Sequence, residues 1–120
     1  MYLAIYPESP SSTLTAAVLA AGFQPVPVAS VAEAARKAPA DGWAASVVEL
    51  GDAPDLAITI AGKLKEELGI PVLVVVDRTL TADLDDAVGF DDFVLTPVDR
   101  IELRIRLARL GAVDEVVGTD

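Results

Sequence analysis

Apolar and polar positions follow two alternating patterns along the chain, one typical of short strands and one typical of helices. Strand-like runs cover residues 2–6, 24–28, 44–49, 71–76 and 92–96, and three of these five runs are apolar almost throughout. Continuously apolar runs are typical of strands that are buried on both faces, as in a parallel sheet covered by helices. The pattern therefore predicts five strands of one parallel sheet.

Helix-like segments follow the strands, and capping residues mark several of their ends. The predicted helices cover residues 14–21, 31–38, 54–68, about 81–88 and about 100–110. Ser12, Ser30 and Asp99 are the expected N-caps of the first, second and fifth helices. In the third helix, the apolar stripe expected against the sheet consists of Leu56, Ile60, Leu64 and Leu68.

This order of elements predicts an α/β fold of the flavodoxin-like, doubly wound type. Five strands alternating with five helices imply a five-stranded parallel sheet in the order 2-1-3-4-5, with right-handed crossovers. A chain of 120 residues is long enough to bury one core, so we expect one domain. Functional residues are expected in the crevice outside the carboxyl ends of the strands, where such sheets bind ligands.

Composition and charge narrow the possible functions. The chain contains no cysteine and no histidine, which excludes disulfides, thiolate metal sites and the commonest general base. We therefore expect no enzymatic activity and no cofactor. The formal net charge of -10 opposes the phosphate attraction on which nucleic-acid binding depends. Since no apolar run approaches the roughly 18 residues of a membrane span and no basic signal-peptide stretch is present, we expect a cytoplasmic protein without a membrane partner.

Three segments resemble a known family. The segment GFDDFVLTPVDRIEL, residues 89–103, closely resembles the last strand and the start of the last helix of response-regulator receiver domains, particularly those of the OmpR/PhoB type. IPVLVVV, residues 70–76, is similar to their fourth strand, and YLAIYPES, residues 2–9, to their first strand and its acidic loop. The resemblance covers about residues 1–110 and implies the CheY-like receiver fold.

The family's metal-binding and acceptor positions can be matched to this chain. Receivers hold Mg²⁺ with an acidic pair after the first strand, and the resemblance places Tyr6 and Pro7 there, with Glu8 one residue further on. The phosphoacceptor aspartate falls on Glu49. Three interpretations of Glu49 stay open: a mimic of a phosphorylated aspartate, a solvated carboxylate, or an ion pair with Arg78 that locks the loop.

The positions that sense the phosphoryl group also depart from the family. The hydroxyl residue at the end of the fourth strand falls on Val76, and the phosphate-binding lysine falls on Thr96, before a proline whose preceding bond is cis in many receivers. Phe93 falls on the aromatic position that swings inward on activation, and an ordinary role in filling a gap between helix and sheet is the alternative. Because phosphoryl transfer needs a metal ion and cationic groups, we expect no phosphorylation.

The charge pattern of the last strand and helix predicts a homodimer. Four of the nine basic residues lie in the last helix, shortly after an acidic block. Receivers of the OmpR/PhoB type dimerise through the face formed by their fourth helix, fifth strand and fifth helix, and the interface residues expected here are Asp91, Asp92, Glu102, Arg104, Arg106 and Arg109. The alternative is a solvated face with a Glu102–Arg106 pair inside the helix.

The last residues and the losses at the acceptor site give three interpretations of the whole protein. Residues 111–120 resemble a linker, and in the regulators that the chain resembles a winged-helix DNA-binding domain follows there. The first interpretation is a phosphorylation-independent receiver of a transcription factor, similar to the atypical GlnR-like actinobacterial regulators, which contacts DNA only through that missing domain. The second is a stand-alone receiver-like domain that binds a protein or small ligand in the crevice at Tyr6, Glu8, Glu49 and Arg78. The third is a conventional receiver that uses Glu8 and Glu49 with Mg²⁺.

Overall fold

Five parallel strands and four helices make up the described part of the chain. The computed structural model describes residues 1–51, 53–79 and 90–111. The strands are β1 (Tyr2–Tyr6), β2 (Gln24–Pro27), β3 (Ala45–Glu49), β4 (Val72–Val76) and β5 (Asp92–Leu95). The helices are α1 (Ser12–Ala20), α2 (Val31–Arg36), α3 (Pro54–Leu68) and α4 (Arg100–Arg109). The predicted fourth helix at 81–88 and residues 112–120 of the predicted linker lie outside the described residues.

The strands form one sheet in the order β2-β1-β3-β4-β5, which confirms the predicted order. Successive residues of each strand point to opposite faces, and both faces of the sheet are buried. Within β4, for example, Leu73 packs on one face with α1 and α4, while Val74 packs on the other face with α3. Since helices cover both faces, the ends of the strands are left open, and the expected crevice lies at their carboxyl ends. Within the described ranges, no helix has the length and apolar composition needed to span a membrane.

The helix N-caps follow the predicted pattern with one shift. Ser11, not Ser12, caps α1: the backbone of Ser11 is extended and its side chain accepts a hydrogen bond from the Leu14 N–H. Ser12 is already the first helical residue, so it is not in the extended conformation that a cap requires. Ser30 and Asp99 cap α2 and α4 as predicted.

The buried face of α3 differs from the predicted stripe. Leu56 is 54% exposed, whereas the buried residues of this helix are Ala57, Ala61 and Leu64. Ala57 and Ala61 are small enough to let the helix lie close to the sheet, so the buried face is turned away from Leu56 by about 100°, one residue along the helix. Ile60 and Leu68 are partly buried beside this face.

The strand β2 forms one edge of the sheet, and two of its four residues are proline. Its contacts to β1 are flanked by two hydrogen bonds, from the Gln24 N–H to the Met1 carbonyl at 2.9 Å and from the Val28 N–H to the Ile5 carbonyl at 2.8 Å. Pro25 and Pro27 occupy the alternate positions, where no N–H is needed for pairing with β1.

Candidate functional site

A crevice lies at the carboxyl edge of the sheet, as expected for this fold. Glu49, the half-buried last residue of β3, lies in its centre. Two neighbouring cavities of about 500 Å³ and 360 Å³ share Glu49 and Thr96 as lining residues. The larger one extends to Pro54, Asp77 and Thr79, and the smaller one extends to Ser11, Thr13 and Val98. The structure thus brings the matched acceptor position and the matched lysine position to one place.

The carboxylate of Glu49 is held by Ser11, the residue that caps α1. Its Oε1 accepts a hydrogen bond from the Ser11 N–H at 3.0 Å, and its Oε2 accepts one from the Ser11 hydroxyl at 2.7 Å. The same hydroxyl oxygen accepts the capping bond from the Leu14 N–H at 3.2 Å. Both carboxylate oxygens therefore lie at the N-terminal end of α1, where the helix dipole is positive.

Ser11 is not among the predicted site residues, although two signals in the sequence point to it. It lies in the loop after β1, and the order β2-β1-β3 places that loop beside the end of β3. A serine before a helix is also an expected N-cap. The choice between Ser11 and Ser12 depends on where the helix begins, and α1 begins at Ser12, two residues before its predicted start at Leu14.

The contact observed at the end of β3 is the one between Glu49 and Ser11, which donates to both carboxylate oxygens through its backbone N–H and its hydroxyl. Arg78 lies exposed beyond the end of β4, and its ion pair with Glu49 stays a prediction.

The position matched to the family's acidic pair offers a poor donor set for Mg²⁺. Tyr6 is half-buried against the core that lies under α3, Pro7 follows it through a cis peptide bond, and Glu8 is exposed. Mg²⁺ requires several oxygen ligands in near-octahedral geometry. Within the described ranges, no cluster of three or more carboxylate, histidine or cysteine side chains is placed to hold a metal ion. The described residues at this place therefore do not fit a Mg²⁺ ion.

The matched switch positions are placed around the same crevice. Val76 is buried in the core, where it has no hydroxyl to offer. Thr96 is half-buried in the crevice and precedes Pro97 through a cis peptide bond. Phe93 is 39% exposed and lies on the sheet face opposite α4, because its neighbours Asp92 and Val94 point to α4.

Two further polar residues of the crevice follow β4. Asp77 accepts hydrogen bonds from the Thr79 N–H at 2.8 Å and from the Thr79 hydroxyl at 2.7 Å. Both bonds lower the pKa of Asp77, and the bond from the backbone N–H has the larger effect. With Glu49 on the other side, the larger cavity is bordered by two carboxylates and two threonines.

Charged residues of β5 and α4 form a network on one flank of the domain. Arg106 donates to both carboxylate oxygens of Asp92 at 2.9 and 3.1 Å, and it also donates to Glu102 at 3.1 Å. The hydrogen bond with Asp92 is the main cause of the raised pKa of Arg106. Three of the residues expected at a dimer interface are thus paired with one another within a single chain.

The remaining expected interface residues lie elsewhere. Asp91 is on the opposite sheet face, where it binds Lys65 of α3 at 2.7 Å and the Val72 N–H at 2.9 Å. Burial alone would raise the pKa of Asp91, but these two bonds outweigh it and lower the pKa. Arg104 reaches toward α1 and donates to the Ala21 carbonyl at 2.8 Å. Arg109 is exposed near the end of α4.

Comparisons with known proteins identify the fold. No protein-family model and no curated protein sequence matches the chain. Among solved structures, the receiver domain of the sensor histidine kinase PA1611 from Pseudomonas aeruginosa PAO1 is similar, with a TM-score of 0.67 and 18% identity over 92% of this chain and 97% of that chain. That structure contains a magnesium ion in its active-site cleft.

Two more receiver domains show the same similarity. The receiver domain of the TMAO respiratory system response regulator TorR has a TM-score of 0.68 and 19% identity over 91% of this chain and 94% of that chain. The signal receiver domain of a histidine kinase from Syntrophus aciditrophicus has a TM-score of 0.63 and 20% identity over 98% of this chain and 97% of that chain. The chain therefore has the fold of response-regulator receiver domains.

Proposed function

We propose that the chain is a receiver domain that works without phosphorylation and serves the dimerisation and regulation of a transcription factor. One observation carries this proposal: Ser11 binds both oxygens of the carboxylate at the acceptor position. A phosphoacceptor has to present a free oxygen to the donor, whereas Glu49 uses its oxygens to fix the start of α1.

The surroundings of Glu49 support the same conclusion. Phosphoryl transfer depends on positive groups that stabilise the charge of the transferred group. The matched positions around the crevice are occupied by neutral Tyr6, Pro7, Val76 and Thr96, and Asp77 adds a second negative charge. A dianionic phosphoryl group would be repelled there rather than stabilised. In this interpretation Glu49 is a structural carboxylate that holds the loop after β1 in one conformation.

Intact-mass spectrometry tests the loss of phosphorylation. The chain is incubated with acetyl phosphate and Mg²⁺, and we expect its mass to stay unchanged. The Glu49→Asp variant restores the family's acceptor and is expected to stay unmodified too, because the other positions are still neutral. A Mg²⁺-dependent gain of one phosphate by the unaltered chain would refute this part of the proposal.

The flank of β5 and α4 is the proposed dimer surface. Asp92, Glu102 and Arg106 lie there together, and a twofold axis would let Arg106 of each copy exchange carboxylate partners with the other copy. Asp91 and Arg104 are left out of this surface because they face α3 and α1. Arg109 remains at its margin.

Sedimentation equilibrium without phosphodonor and without Mg²⁺ tests the dimer. We expect a dimer that weakens as salt is raised, because salt screens exposed charge pairs. The Arg106→Gln variant is expected to be monomeric, while Arg36→Gln on α2 serves as the matched control with an exposed arginine elsewhere. A monomer at all salt concentrations would exclude dimerisation by this domain alone.

The role in transcription is supported by the resemblance to OmpR/PhoB-type regulators and by charge. With a net charge of -10, the domain itself is a poor DNA ligand, so we place DNA binding in a winged-helix domain after residues 111–120. A reading frame that continues into such a domain is the expected finding. A stop codon close to residue 120 would instead favour a stand-alone domain.

The crevice supports one alternative function. Cavities of about 500 and 360 Å³ are in the range of small-molecule sites, and they meet at Glu49 and Thr96. A stand-alone domain could bind a small polar ligand there. Thermal-shift screening of the chain beside its Thr96→Tyr variant, which fills the crevice, distinguishes this function: stabilisation by a compound in the unaltered chain alone would favour it.

A further inference from the structure

The solvent-facing side of α4 has an unusual composition. All exposed side chains of this helix are arginine or isoleucine: Arg100, Ile101, Arg104, Ile105 and Arg109. Ile101 is 57% exposed and Ile105 is 49% exposed, so both present much of their apolar surface to water. The only acidic residue of the helix, Glu102, is half-buried and paired with Arg106.

These exposed residues form two rows along the helix. Residues four apart lie on the same side one turn further on, so Ile101 and Ile105 form an apolar row, and Arg100 and Arg104 form a basic row beside it. Arg109 continues the apolar row with a charge at its end. The helix has ten residues and is therefore about 15 Å long. The two parallel rows match a partner segment that is about as long as the helix.

The positive charge of this face is not neutralised within the described part of the chain. Arg100, Arg104 and Arg109 take part in none of the ion pairs among those residues. The partner of Arg104 is the neutral carbonyl of Ala21, at the end of α1. The neighbouring helix α1 contains no charged residue, and its exposed positions include the small residues Ala16 and Ala20. A partner that approaches α4 therefore meets positive charge beside a helix that carries no charge.

We propose that this face of α4 docks an acidic amphipathic helix of a partner protein, independently of the dimer surface proposed above. The apolar row of such a helix would cover Ile101 and Ile105, and its acidic flank would pair with the arginines. The surface lies on the outer side of α4, whereas Arg106 lies on the side that faces β5. The two surfaces can therefore be altered separately.

Charge favours an acidic helix over a second copy of the chain, a membrane or a nucleic acid as the partner of this face. A second copy related by a twofold axis would bring the same arginines of both copies together, and like charges in contact are unfavourable. A membrane or a nucleic acid presents a broad anionic surface, and the domain carries a net charge of -10. The basic area is only one helix wide, and screening extends over about 8 Å, so a broad surface would also meet the acidic parts of the domain. A single helix can restrict its contacts to α4 and α1.

Fluorescence anisotropy with a designed peptide tests this proposal. The probe is a fluorescein-labelled helical peptide of about 20 residues, with a leucine row flanked by glutamates, and a control peptide carries lysine in place of glutamate. We expect saturable binding of the glutamate peptide that weakens with salt, and no binding of the lysine peptide. Ile101→Ser with Ile105→Ser should weaken binding about tenfold, and Arg100→Glu with Arg104→Glu by at least as much.

Matched variants serve as controls for the surface and for folding. Leu56→Ser removes an equally exposed apolar residue on α3, and Arg36→Glu reverses an exposed arginine on α2; both should bind like the unaltered chain. All substituted residues are exposed, and circular dichroism verifies that every variant is folded. Equal weakening by the control variants, equal binding of the lysine peptide, or no binding at all would overturn the proposal. The isoleucine variants could instead lose only self-association or only binding to anionic vesicles. Either result would overturn the proposal and assign the face to a second copy or to a membrane, respectively.

Discussion

Replacing Ser11 with alanine removes two interactions that share one oxygen atom. The hydroxyl accepts the capping bond from the Leu14 N–H at 3.2 Å and donates to Glu49 at 2.7 Å. Loss of an N-cap costs about 1 kcal/mol. A hydrogen bond to a charged group contributes about 1.5 kcal/mol at the lower end of its range, which suits an exposed serine. Ser11→Ala should therefore lower the free energy of unfolding by about 2.5 kcal/mol.

The serine that caps α2 provides a matched control. Ser30 accepts the capping bond of its helix at 3.1 Å, as Ser11 does for α1, but among the described residues it makes no hydrogen bond to a carboxylate. Ser30→Ala should consequently cost only about 1 kcal/mol. The difference between the two alanine variants measures the contribution of the bond from Ser11 to Glu49.

Urea unfolding followed by the fluorescence of Trp43 provides the assay. This tryptophan is half-buried and donates to the Ala34 carbonyl at 3.0 Å, so its environment changes on unfolding. A double-mutant cycle of Ser11→Ala with Glu49→Gln should show a coupling of about 1 kcal/mol, less than the full contribution of the bond because the amide of Glu49→Gln keeps one acceptor oxygen. If Ser11→Ala costs no more than Ser30→Ala and the cycle is additive, the bond does not stabilise the domain and the structural role of Glu49 is refuted.

Three further predictions concern other contacts. The pKa of Asp91 is lowered in the folded chain, so the stabilisation by its carboxylate is present above the unfolded pKa of about 3.9 and is lost as the pH falls through the folded pKa. In urea unfolding, the difference in stability between the unaltered chain and Asp91→Asn should therefore disappear below about pH 4. A difference that stays constant with pH would contradict the role of the Lys65 contact. A double-mutant cycle of Asp92→Asn with Arg106→Gln should give a coupling energy of about 0.5–1 kcal/mol at low salt, because both side chains are partly exposed. The coupling energy should be smaller in 1 M salt, and a value that does not change with salt would contradict this prediction. Gly69 ends α3 with φ +67°, so Gly69→Ala should lower the unfolding free energy by about 1 kcal/mol, whereas a stabilised variant would show that the backbone relaxes there.

The architecture could be predicted because its signals are local. The strand β4 is apolar throughout, β3 is interrupted only by Ser46 before it ends at Glu49, and alternating strands and helices of this length restrict the sheet to few orders. The N-cap of α1 lies one residue earlier than predicted, and the helix begins two residues earlier, because two adjacent serines carry the same capping signal. The face of α3 was predicted wrongly because size rather than hydrophobicity decides which residues approach the sheet, and Ala57 is smaller than Leu56.

The site was predictable in its place but not in its contacts. The resemblance and the sheet order brought Glu49 and Thr96 to one crevice, yet the partner of Glu49 depends on the conformation of the loop after β1. The acidic block was treated as one group, although strand alternation sends Asp91 and Asp92 to opposite faces. The alternation predicts opposite faces for Asp91, directly before β5, and Asp92, its first residue, but it does not predict their partners.

The prolines of β2 limit how this sheet can be extended. The N–H groups of Gln24 and Val28 point inward to β1, so the positions of Pro25 and Pro27 are those whose nitrogens face outward. A proline nitrogen carries no hydrogen, and a strand from another molecule would find no donor at either position. Natural sheets use this device against edge-to-edge aggregation. Any growth of the sheet by added strands, whether in assembly or in misfolding, is therefore directed to the side of β5.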